Sequence, residues 1–175
     1  MKRSFAMFVG LICAGMAHAD ERGAAAVNVF STYCLPGPPD FAAIDAKATG
    51  MKFPVRKDVN APAQPGQSAH SKSWLVTLDG GVSLELIAAE ARGPASEASS
   101  CGIGVESIDG ESVKQALIAA LKLPAPTREG SSPDGTQRLT SWNYGDGTTL
   151  TLADGAPMRI PGLYLALIYH KDSSR

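Results

Sequence analysis

Trp74-Leu75-Val76-Thr77-Leu78-Asp79-Gly80-Gly81-Val82-Ser83-Leu84-Glu85-Leu86 is the stretch that decides how this chain folds. Trp74, Val76 and Leu78 alternate with Leu75 and Thr77, and the period of two resumes through Val82, Leu84, Leu86 and Ala88. That period puts every second side chain on one face of a strand. Asp-Gly between two such runs marks a hairpin, because glycine accepts the positive φ that a tight turn requires. The stretch therefore predicts two antiparallel strands with one face buried.

Toward the C-terminus, a third strand is expected over Cys101 to Glu106. Asp109-Gly110 then leads into a helix over Glu111 to Leu123. Val113, Ala116, Leu117, Ala120 and Leu121 form its apolar stripe, and Pro124 ends it. Arg138 to Tyr144 and Thr148 to Ala153 alternate around Gly145-Asp146-Gly147. Leu163 to His170 is the most apolar run and reads as a central strand. Asp-Gly recurs at Asp79, Asp109, Asp134, Asp146 and Asp154, without the acidic spacing of a calcium loop, so these are turn signals.

Toward the N-terminus, Pro54 to Ser71 is rich in proline and polar residues and reads as a long loop. Ala91 to Ser100 and Pro124 to Gly135 are weaker loop-like stretches. Two helices are expected before the long loop. Glu21 to Thr32 leads to Cys34, with Val27, Phe30 and Cys34 at helical spacing. Phe41 to Thr49 follows, capped by Asp40 and stopped by Gly50. No internal repeat is visible.

These elements predict an α+β domain. Its antiparallel sheet would have five or six strands in ββ(β)αβββ order, with helices on one face and two of them N-terminal. The order loosely resembles profilin-like or PAS-like sheets, an analogy that implies no activity. A helix ending in Phe30, Cys34 and Leu35, a short helix at Phe41 and a sheet carrying a second cysteine also resemble small uncharacterised exported proteins of Gram-negative bacteria. That resemblance implies an envelope location and carries no activity.

The first nineteen residues give an independent reason to expect export. Lys2 and Arg3 precede an apolar run from Phe5 to about Met16, and Ala17-His18-Ala19 has the small-x-small form of a cleavage site. The run falls short of the roughly 20 apolar residues of a membrane span. Residues 1–19 are expected to be a cleaved signal, and 20–175 a single domain with a Pro-rich loop at 54–71. The location is then periplasmic or secreted, with no transmembrane segment in the mature chain. Cys13 leaves with the signal. Cys34 and Cys101 remain, lack metal or redox spacing, and are expected to form a disulfide in an oxidising compartment.

Removing Lys2 and Arg3 leaves 14 basic against 17 acidic residues, a formal charge of −3. A weakly acidic, evenly mixed chain argues against nucleic-acid binding. Catalytic signatures fail one by one. Gly66-Gln67-Ser68-Ala69-His70 lacks the last glycine of a serine-hydrolase elbow. Ser107 stands where a dinucleotide loop beginning at Gly102 needs its third glycine. The mature chain has two isolated histidines, His70 and His170, so no metal site and no cofactor are expected. Glu85, Glu90, Glu106 and Asp109 show no spacing that pairs them as acid and base. Trp142 and Tyr144, on one side of a strand beside a polar turn, and His170 near the terminus are the candidate binding residues. The expectation is an exported, non-catalytic domain that binds a protein of the envelope or periplasm, or a small ligand. The alternative is a small secreted hydrolase whose site is assembled from distant residues.

Overall fold

A computed structural model of the chain describes residues 14–61, 66–79, 81–94, 96–106, 108–155 and 162–172. Most of the apolar run expected to direct export lies outside them. Helices α1 (Ala14–Cys34) and α2 (Phe41–Gly50) precede strands β1 (Val55–Ala61), β2 (Ser68–Thr77), β3 (Ser83–Arg92) and β4 (Ser96–Val105). Helix α3 (Gly110–Leu121) then precedes β5 (Arg128–Ser131), β6 (Arg138–Gly145), β7 (Thr148–Asp154) and β8 (Leu163–Asp172). The strands form one antiparallel sheet in the order β1-β2-β3-β4-β8-β7-β6-β5.

The expected five- or six-stranded sheet in ββ(β)αβββ order is therefore corrected to eight strands in ββββαββββ order. The two missing strands are the edges, β1 and β5. Six of the seven residues of β1 and all four of β5 are exposed, so neither carries an alternating apolar signal. Ladder bonds to a neighbour form them, and sequence periodicity does not register such bonds. Much of the expected 54–71 loop is thus β1 and the start of β2, while residues 62–65 lie outside the described set. Short length at β5, and charge with a register break at β1, are common ways to keep an edge from pairing further.

All three helices pack on one face of the sheet. Trp74 and Val76 of β2, Leu84 and Leu86 of β3, Ile103 and Val105 of β4, Leu165 and Leu167 of β8, Leu150 of β7 and Trp142 of β6 are buried beneath them. From α1 come Val27 and Phe30, from α2 Ile44 and Ala48, and from α3 Val113 and Leu117. The buried side chains described for α1 all lie beyond Ala19, so cleavage there would leave the described core whole. Cys34, at the end of α1, is bonded to Cys101 of β4 with Sγ atoms 1.97 Å apart. Among the described residues, no helix is long and apolar enough to cross a membrane.

The topology is a helix and four strands, done twice. The two units, α2–β4 and α3–β8, meet at the β4–β8 seam. A two-fold axis at the Gly102–Ala166 pair brings them into register. Outward along that cross-strand row, Ile87 corresponds to Thr151, Ser73 to Ser141 and Lys57 to Arg128. On this register Trp74 falls on Trp142. The helices match as well. Asp40 caps α2 by accepting from the Ala43 N–H at 3.0 Å, and Asp109 caps α3 by accepting from the Ser112 N–H at 2.8 Å. Both helices run into the same exit, Met51-Lys52-Phe53-Pro54 and Leu121-Lys122-Leu123-Pro124. Each lysine is left-handed, with φ of 57° and 53°, and the residue after it donates back into the last turn. The chain therefore contains an internal repeat, contrary to the sequence expectation. Its matches are dipeptides and tetrapeptides separated by hairpins of unequal length, and they align only once the ladder supplies the register. Helix α1 has no counterpart in the second unit and contacts α2, α3 and the two central strands.

Candidate functional site

Among the described elements, none packs on the second face of the sheet. Alternation places Val59, Ser71, Ala89, Ser100 and Ile168 on that face in one continuous cross-strand row. The next row outward is Ala61, Ala69, Ala91 and Ala98. Alanine and serine are short, so the two rows leave a groove of about 280 Å³ lined mainly by carbon. Tyr164 of β8 forms its wall. The ring leans diagonally over Gly102, where an added Cβ would lie 2.8 Å from the Tyr164 hydroxyl oxygen and 3.0 Å from a ring carbon. Glycine at 102 is what lets the ring lie there. Burial raises the phenol pKa of Tyr164 above its ordinary value, so the hydroxyl stays neutral at physiological pH.

The equivalent place in the second unit is lined differently. The two-fold axis takes Ser71 to Leu139, Ala89 to Ala153 and Ser100 to Tyr164. The same row takes Val59 to Gly130 and Ile168 to Gly104, so the second unit exchanges bulk at the ends of the row for Leu139 and for Tyr164, whose ring leans back over Gly102 and lines the groove.

His70, Glu90 and Ser99 border the groove through their backbones, and alternation assigns their side chains to the helix face. There Ser99 and His70 anchor α2 and its approach, while Glu90 pairs with Arg92 of the same strand at 3.4 Å. The Ser99 hydroxyl donates to the Pro39 carbonyl at 2.7 Å. The His70 ring lies 4.1 Å from that of Phe41, and its Nε2 is 2.9 Å from Asp58 Oδ1. Lys72 Nζ donates to Asp45 Oδ1 at 2.7 Å, with Asp58 Oδ2 at 3.8 Å. The hydrogen bond to Asp45 raises the Lys72 pKa, and so keeps the ammonium charged. A histidine–carboxylate pair at hydrogen-bond range is thus present, but it belongs to the packing of α2 and β1 and does not face the groove. Among the described residues, no three His, Cys, Asp or Glu side chains converge as metal ligands.

The three candidate binding residues fall in different places. Trp142 is fully buried under α3, and its indole N–H donates to the Pro124 carbonyl at 3.2 Å. Tyr144 is exposed beside the β6 irregularity at Asn143/Gly145, far along the sheet from the groove. His170 is exposed and pairs with Ala98, so it shares the groove's face at its margin. Of the candidate carboxylates, Asp109 is the α3 cap, and Glu85 is half-buried on the open face beside Gly104. The groove escapes a reading of the sequence because most of its small residues come from Pro54–Ser71 and Ala91–Ser100, stretches that look like loops. The available signal is a small residue at every second position, as in Ala69, Ser71 and Ser73, or Ala98, Ser100 and Gly102.

Fold and groove together define a class: a single antiparallel sheet of two fused α–ββββ units, helices on one face and a groove on the other. No protein-family model, no curated protein and no solved structure matches the chain.

Proposed function

We propose that this is an exported, non-catalytic binding domain of a Gram-negative envelope, and that the groove on the open sheet face holds a small, largely apolar ligand. The groove is the observation that carries the reading. Ligand sites are concave and mostly apolar, with a few polar groups that fix orientation. Here Ser71, Ser100 and Tyr164 supply those groups, and the volume falls just below the usual range for drug-sized ligands. The disulfide and the N-terminal export pattern support a periplasmic or secreted location.

The test uses the exported chain and N-phenyl-1-naphthylamine, a neutral probe that fluoresces in apolar surroundings. The expected result is saturable fluorescence with wild type, lost in Ala89→Trp, whose indole would occupy the groove, while circular dichroism is unchanged. Equal fluorescence from both proteins would overturn the groove as the site. Mass spectrometry of the protein from a periplasmic extract should find Asp20 at the N-terminus. An intact Met1 would overturn the export reading.

A further inference from the structure

We infer that the open sheet face also joins two copies of this chain, packed face to face about a two-fold axis that runs along the strands between β8 and β7. The inference stands apart from the groove's ligand. Two charges on the face carry it. Glu85 of β3 is half-buried there, and Arg128 of β5 is exposed there. Neither side chain has a partner among the described residues. Within one copy they cannot meet, because β3 and β5 lie five inter-strand steps apart, about 24 Å at the usual spacing. The axis brings them together between copies. It exchanges β8 with β7, β4 with β6 and β3 with β5. Ile87 of one copy then lies over Arg128 of the other, and Glu85 over Gly130. A Cβ added at Gly130 would find nothing within 4 Å, so the carboxylate has room beside the guanidinium two residues along β5. Two-fold symmetry forms the pair twice.

The rest of the shared face suits a contact between sheets. On β3 to β5, the cross-strand rows through Glu85, Ile87 and Ala89 carry no charge besides Glu85 and Arg128. Ile87, Ala166, Thr151 and Leu139 stand where a solvated antiparallel face usually presents strongly polar side chains. Depletion of charge is what marks the core of an interface. The area agrees. The six shared strands, about 4.8 Å apart with about 3.4 Å per residue, present roughly 650 Å² per copy. Two copies would bury about 1,300 Å², inside the range of specific interfaces. Strands β1 and β2, with Val59, Ala61, Ala69 and Ser71, lie outside the shared six, so the groove keeps an open side. A second copy is the partner that the charges fit, because it already holds the opposite charge at the required separation.

The experiment measures the mass of the exported protein by sedimentation equilibrium, in a series reaching about 100 μM, above the range in which contacts of this size associate. The expected result is a dimer. Arg128→Glu and Glu85→Arg should each raise its dissociation constant at least about tenfold, because like charges then face each other. The double exchange should restore the dimer, with circular dichroism unchanged throughout. Should Glu85→Arg not fold, Arg128→Lys gives a second reading. Carbodiimide should join its amine to Glu85 of the other copy, seen as a covalent dimer on a denaturing gel and located by peptide mapping. A monomer throughout the series, a dimer indifferent to both reversals, a double exchange that stays monomeric, or absence of the Glu85 link would overturn the inference. A monomer that still binds the fluorescent probe would remove the second copy and leave the groove reading in place. A dimer that responds to the charge reversals but never binds the probe would support the second copy and remove the groove's ligand.

Discussion

Ser-Trp occurs at equivalent places in the two units, and its surroundings differ. In the second unit both side chains are satisfied. Ser141 and Thr151 hydroxyls lie 3.2 Å apart, and the Trp142 indole donates to the Pro124 carbonyl. In the first unit, the Ser73 hydroxyl and the Trp74 indole are both buried with no partner among the described groups. Each has a local cause. Ile87 stands where Thr151 stands, and it has no polar atom to offer. Pro54, the counterpart of Pro124, gives its carbonyl to the Leu75 N–H at 2.8 Å, because β1 breaks register between Val55 and Lys57 and extends its pairing past Trp74. Buried polar groups without partners are uncommon in folded proteins, and they concentrate where function outweighs stability. Here the unit that carries them also carries most of the groove's lining and Cys101 of the disulfide, while α1 packs mainly on α3 of the second unit. One supersecondary design thus has its Ser-Trp pair satisfied in one half and left without partners in the other, and the disulfide ties α1 to the half that leaves them so.

The largest test of this asymmetry is the disulfide. Reducing Cys34–Cys101, or replacing both with alanine, reopens a loop of 67 positions, for which chain entropy gives about 4 kcal/mol. Urea unfolding with and without reductant should show the loss, and identical midpoints would mean that the first unit does not need the bond. Next come the helix anchors. Counted from the caps, Leu117 of α3 corresponds to Ala48 of α2, and both are fully buried. Leu117→Ala should cost about 3 kcal/mol by opening a cavity. Ala48→Leu should also destabilise, by about 1–3 kcal/mol, because α2 packs at alanine distance. Tolerance of the leucine would show that the two helices sit at equal depth.

The tryptophans give a smaller but sharper contrast. Trp142→Phe removes a made hydrogen bond, whereas Trp74→Phe removes an unmet donor. The first should be the more destabilising by about 1–2 kcal/mol, read as the difference in unfolding free energy between the two variants. An equal cost would mean that the Trp74 N–H is satisfied in solution. The smallest effect expected is from Ile87→Thr, which supplies the hydroxyl that Ser73 lacks. The new hydrogen bond should offset the smaller apolar side chain and leave stability within about 1 kcal/mol of wild type. The reciprocal change, Thr151→Val, leaves Ser141 alone and should cost about 1–2 kcal/mol. Reversal of that order would break the correspondence between the two rows.

Much of the helix face could be read from the chain. Trp74, Val76, Leu84 and Leu86 alternate around Asp79-Gly80, and Val113 and Leu117 share a helical stripe, so burial announces itself through periodicity. The α2 cap at Asp40 was equally legible, because an acceptor side chain before a helical run has a defined role. The groove was not legible. Its alanines and serines are the residues that composition assigns to loops, and they matter only because five strands set them side by side. Trp142 stands out in the sequence as a candidate for recognition because it is large and aromatic, and those same properties placed it under α3.

The amino-acid sequence alone was enough to place the turn at Asp79-Gly80, the ends of α2 and α3 to within about two residues, the residues that prefer an apolar setting, and the two cysteines available to pair, whereas α1 runs from Ala14 to Cys34 and not from Glu21 to Thr32. The features it placed depend on interactions within a few residues, and local chemistry encodes them. Only the tertiary structure decided that eight strands join one sheet, that two edge strands exist without apolar patterning, that the units are two-fold related, and that small residues from β1 to β8 leave a groove. Each of those depends on which strand lies beside which. That register is set by the sum of ladder bonds and packing across the whole sheet, to which no single stretch of sequence contributes more than a part.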